Sequence, residues 1–152
     1  MQRFKGFLLL AGKLLALAIA VTVGVYASMY VYNPCDVDAV KDASIFLDIQ
    51  LKHYDDVYDS AASGTRTSLT YPITVLQQIL VDTQQIAVPA CMQTARNELI
   101  SYMGTVIQAF QSYTAGEEEF TVNNLIYQSN EHYYNFYSEL DAVSECAPFC
   151  FP

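Results

Sequence analysis

The sequence predicts an all-α protein: an antiparallel up-down four-helix bundle preceded by an N-terminal transmembrane or signal helix. Three observations carry this reading. An almost wholly apolar run, "GFLLLAGKLLALAIAVTVGVYASMYVY", opens the chain. After Asn33, apolar residues recur three and four apart, the period of a helix face and not of a strand. The connections between these periodic segments are mostly short, which joins antiparallel neighbours.

The first element is the apolar run. From Leu14 to Tyr32 no residue is charged. At ~1.5 Å per residue that length crosses a hydrocarbon core of ~30 Å. Arg3, Lys5 and Lys13 precede or enter the run, whereas all 16 Asp and Glu residues lie at Asp36 or beyond. Basic residues on the near side put the N-terminus in the cytoplasm and the rest of the chain outside. Two readings of the segment compete. A basic start, an apolar stretch and "VYA" ending at Ala27 describe a signal peptide cleaved near that residue. The full-length span, with Tyr26, Tyr30 and Tyr32 at its outer edge, describes a retained signal-anchor, and this reading is favoured. Residues 1–32 are therefore assigned to the anchor or signal, and residues 33–152 to an extracytoplasmic bundle.

In the first bundle helix Val37, Val40, Ser44, Leu47, Leu51, Tyr54, Tyr58 and Ala61 make one stripe. "NPCD" opens it, with Asn33 as N-cap and Pro34 at the first helical position. "SGTRTS" closes it, with Gly64 as a left-handed cap. Leu69, Ile73, Leu76, Leu80, Thr83 and Ala87 form the second stripe, with Pro72 tolerated in its first turn. Pro89 disfavours helical angles at Val88, and a helix continuing past it would run into the bilayer, so a reversal is expected there. Met92, Leu99, Met103, Val106, Phe110 and Tyr113 form the third stripe, which ends near Gly116. Thr121 is read as the N-cap of the fourth helix, with Val122, Leu125, Ser129, His132, Phe136 and Val143 facing inward.

The four cysteines then converge. Cys35 and Cys91 fall in the first turns of the first and third helices, and Cys146 and Cys150 follow the fourth. Up-down topology brings all of them to the pole nearest the membrane. An even count outside the cytoplasm implies two disulfides. The expected bridges each join one of Cys35 and Cys91 to one of Cys146 and Cys150, with Cys91–Cys146 preferred. A zinc site is disfavoured because it needs reduced thiolates and the usual C-x2-C pairs are missing. A redox pair is disfavoured because the C-terminal spacing is C-x3-C, at the end of a helix where the dipole raises a thiol pKa.

No cofactor or metal is expected. His53 lies on the polar side of the first helix. His132 faces inward and is expected to bond a tyrosine or a backbone group. There is no C-x-x-C-H and no pair of Glu-x-x-His motifs. Asp55, Asp56 and Asp59 near the end of the first helix, with Glu117, Glu118 and Glu119 between the third and fourth, are expected at the membrane-distal pole. They form a solvated acidic surface or, in the functional reading, a site for a cation or a basic partner. Beyond Asn33 only Lys41, Lys52, Arg66 and Arg96 balance the acid, so the domain repels phosphate backbones and nucleic-acid binding is excluded. Tyr127 and Tyr134, seven apart, fall on the outer face of the fourth helix, where amphipathic rings favour a protein partner.

No catalytic motif is present: no GxSxG, no HExxH and no Gly-rich phosphate loop. The sequence therefore reads as a non-catalytic cell-envelope protein, anchored through residues 14–32 or secreted, that acts by protein–protein contact as a small subunit of a membrane or cell-surface assembly. The alternative is a ligand- or cation-binding helical bundle. The oligomeric state is not specified by the sequence.

Overall fold

Apolar stripes spaced three and four apart bury themselves as helices. In a computed structural model of the chain, which describes residues 35–146, they form four: α1 (Val37–Ala62), α2 (Thr70–Gln85), α3 (Gln93–Ala115) and α4 (Glu119–Cys146). Short 3-10 turns at Arg66–Ser68 and Ala90–Met92 lead into α2 and α3. There is no strand among the described residues. The predicted span 14–32, the cleavage site at Ala27, the Asn33 cap and Pro34 lie outside them, as does the tail from Ala147. Among the described residues no helix is long and apolar enough to cross a membrane.

The four helices share one core. From α1 it takes Leu47, Leu51 and Tyr54; from α2, Ile73, Leu76 and Ile79; from α3, Leu99, Met103 and Val106; and from α4, Phe136 and Val143. Removing each large apolar side chain from water contributes roughly 1.5–3 kcal/mol before the entropy of ordering it is charged against the gain. Side-chain contacts give the helix directions. Cys35 and Cys91 tie the starts of α1 and α3 together. Farther along, the Tyr54 hydroxyl donates to the Met103 carbonyl at 2.7 Å, and Tyr58 meets Phe110 with ring centroids 5.6 Å apart. So α1 and α3 run in the same direction. Starting just beyond the end of α3, α4 packs along that helix and reaches the Ala90–Met92 turn at its beginning, so it runs the opposite way.

Several local expectations are corrected. Helix α1 begins at Val37 with Asp36 in the cap position, which leaves Cys35 just ahead of its first turn. In the first turn Val37 is exposed, and farther in Ala43 is buried where Ser44 was expected. The Ser44 hydroxyl instead donates to the Lys41 carbonyl at 2.8 Å. In α2, Ile79 takes the buried place assigned to Leu80, which packs at the core margin. Ala87 lies past the end of α2, in the connection that Pro89 enforces. In α4 the Glu118 carbonyl already accepts the Thr121 and Val122 amides, so Thr121 is inside the helix and is not its cap. The left-handed cap is found at Gly116, with φ 80°, where only glycine escapes the Cβ clash. Gly64 is not left-handed. Its reason is space: a Cβ there would lie 2.9 Å from the Ser68 Oγ and 3.1 Å from the Ala61 carbonyl oxygen.

The expected disulfide pairing is also corrected. Cys91 is bonded to Cys35 and not to a C-terminal cysteine, with Cα atoms 5.9 Å apart, a normal bridging span. The parallel run of α1 and α3 brings the residues just ahead of both helices to one pole. The side chain of Cys146 and all of Cys150 lie outside the described residues.

Candidate functional site

Tyr54 points into the core from α1, so its neighbour Asp55, a further 100° round the helix, lies at the core margin, half-buried. Helix α3 brings Tyr102 against both. Its ring packs on Tyr54 at 5.7 Å and its hydroxyl donates to Asp55 Oδ1 at 3.2 Å. From α4 the Tyr133 ring meets Tyr102 edge-on at 5.3 Å, and Tyr137, one turn later, meets Tyr133 at 5.0 Å. Phe136 lies beside Tyr137 at 5.1 Å. A continuous row of rings thus joins α1, α3 and α4. Each such pair contributes about 0.5–1.5 kcal/mol beyond the area it buries.

The electrostatics of this row follow from burial. Loss of water pushes the Tyr54 and Tyr102 phenols well above their usual range, and the Asp55 carboxylate beside them pushes the same way. Tyr137 is raised as well, by loss of water first and then by Tyr133. Asp55 is itself raised by burial. The hydrogen bond from Tyr102 pulls it back down, while Asp59 and Asp56 push it up. At neutral pH the Tyr54 and Tyr102 phenols are therefore protonated, as their donation to the Met103 carbonyl and to Asp55 requires.

His132 of α4 is half-buried, and its partner corrects the expectation. The Nδ1 atom meets Glu98 Oε2 of α3 at 2.7 Å, so a carboxylate and not a tyrosine or backbone group completes it. His53 is exposed.

The acidic residues are placed unevenly. Asp56 and Asp59 are exposed near the end of α1, and Glu117, Glu118 and Glu119 are exposed around the α3–α4 connection. Asp55 instead faces Tyr102. Arg66, the basic residue nearest that end, stacks over the Tyr113 ring at 4.8 Å. Among the described residues no group of three His, Cys, Asp or Glu side chains is arranged to hold a metal ion.

The outer face of α4 is aromatic. Tyr127 and Tyr134 are 66% and 72% exposed, and Phe120, seven residues before Tyr127, is 79% exposed. Ser129, Phe136 and Val143 keep the same seven-residue spacing on the buried side. The two lines are offset by two residues, or 200° of helix, so one faces the core and the other faces directly away. Sequence reasoning found Tyr127 and Tyr134 but missed Phe120, although the same spacing marks it. It also missed Glu98 and Tyr102, whose roles depend on partners far along the chain. No protein-family model, no curated protein and no solved structure matches this chain.

Proposed function

We propose that the chain is a non-catalytic extracytoplasmic protein of the cell envelope that acts by protein–protein contact, as a small subunit of a membrane or cell-surface assembly. In this reading residues 14–32 hold it at the membrane, and an antiparallel up-down bundle stands outside. The observation that carries the proposal is the outward line of Phe120, Tyr127 and Tyr134, large rings left in water on the side of α4 opposite the core. Such rings are enriched at interfaces because they bury much area at little entropic cost. The charge asymmetry about the apolar run and the Cys35–Cys91 bridge support an oxidising, extracytoplasmic setting.

The test is purification of the full chain from its native membrane in mild detergent, without reductant. One partner at fixed stoichiometry, lost in Tyr134→Ala, is expected. Purification of the chain with no stoichiometric partner overturns the reading. The intact mass of the same material tests the anchor: a full-length mass is expected, and a mass beginning at Ser28 replaces the anchor with a secreted form.

A further inference from the structure

The outer face of α4 carries rings and carboxylates but no cation. From Asn97 to Pro152 the chain has no Lys or Arg at all. Around the line of Phe120, Tyr127 and Tyr134 the exposed residues include Asn123, Asn124, Asn130, Glu131, Asn135 and Asp141, with Glu117 to Glu119 at the Phe120 end. The line extends ~21 Å, four turns of helix.

We infer that this face docks a basic amphipathic helix of a different protein, one that sets apolar side chains against Phe120, Tyr127 and Tyr134 and Lys or Arg against Glu131, Asp141 and Glu117 to Glu119. The inference rests on the protein-contact reading above and names the partner's chemistry. Seven-residue spacing is what a second helix matches when it packs nearly parallel or antiparallel to the first, with apolar positions repeating at the same interval. Charge selects among such helices. A second copy offering its own α4 brings only carboxylates, in either orientation, and like charges set against each other in an interface are strongly unfavourable. A helix flanked by Lys and Arg meets the same carboxylates as counter-charges and also gains cation–π contacts with the tyrosines. The amide-rich surround of four asparagines completes a polar rim around the rings.

The experiment places the photo-crosslinker p-benzoylphenylalanine at Tyr127 in the full chain, in cells that produce it. The adduct is then sequenced by mass spectrometry. The expected product is a protein adduct whose crosslinked segment is helical and carries at least two Lys or Arg residues beside its apolar positions. Its yield is expected to fall about tenfold in Glu131→Lys and in Asp141→Lys, two exposed positions tested separately so that a folding defect in one does not decide the result. An adduct to a second copy of the chain, to lipid, or to a neutral or acidic segment overturns the inference and leaves the question of protein contact to the purification experiment. Absence of any protein adduct from either Tyr127 or Tyr134 overturns both.

Discussion

The Tyr102 hydroxyl donates to Asp55 across 3.2 Å. This contact holds at the edge of the core a carboxylate that its place in the sequence assigns to an acidic pole. Burial there raises the Asp55 pKa above the ordinary value of 3.8 and outweighs the opposing pull of the Tyr102 hydrogen bond, so the charged carboxylate is a liability at neutral pH. An acid whose pKa is raised in the folded state contributes stability that is fully present below 3.8 and lost as pH rises through the raised value. Asp55→Asn keeps an acceptor for Tyr102 and removes the charge. Its Tm is therefore expected to exceed that of the unaltered protein at pH 7, with the gap closing as pH falls toward 3.8. A gap that is constant across that range, or reversed at pH 7, contradicts the placement of Asp55.

The buried phenols predict alkaline behaviour with the same sign. Tyr54 and Tyr102 are raised above 10.0, so the stability they contribute is complete below that value and is lost as pH climbs past it. Both should ionise only as the helices melt. Absorbance of phenolate and circular dichroism followed together should show a phenolate step in phase with loss of helix, smaller by two tyrosines in Tyr54→Phe/Tyr102→Phe. Ionisation of this pair ahead of unfolding would contradict their burial.

The Cys35–Cys91 bridge closes a separation of 56 residues. A loop that long is worth about 4 kcal/mol in the chain-entropy account of disulfides. Cys35→Ala/Cys91→Ala is expected to lower the urea midpoint accordingly while leaving the helical spectrum in place. An unmoved midpoint would rule out the pairing as a staple.

Two glycines are expected to fail for different reasons. Gly116→Ala forces a Cβ into a left-handed residue and should cost about 1–2 kcal/mol whatever stands nearby. Gly64→Ala meets the Ser68 Oγ at 2.9 Å, so part of its cost should be recovered by adding Ser68→Ala. Denaturation of the four variants separates the two, and equal rescue of Gly116→Ala by the serine change would refute the distinction.

Glu98 and His132 join α3 to α4 at 2.7 Å, with side chains 26% and 36% exposed. Water screens a pair this open, so a double-mutant cycle of Glu98→Gln and His132→Gln should report a coupling of only ~0.5 kcal/mol. A coupling near zero would remove this contact from the α3–α4 interface.

What the chain determines by itself is local and periodic. Leu47, Leu51, Tyr54, Leu76, Leu99, Val106 and Phe136 were each legible as core residues because helical spacing is a short-range property. The reversal at Pro89, the end of α3 at Gly116 and the outward turn of Tyr127 and Tyr134 follow from single residues or spacings within one helix. Tertiary structure alone decided the rest. Cys35 joins Cys91, His132 finds Glu98, and Asp55 is drawn to Tyr102, because each pairing depends on how neighbouring helices roll and slide against one another. Rotation by one residue exchanges Ser44 for Ala43 and Leu80 for Ile79, and a stripe of apolar residues does not specify its own roll to better than that. Core packing across all four helices specifies it.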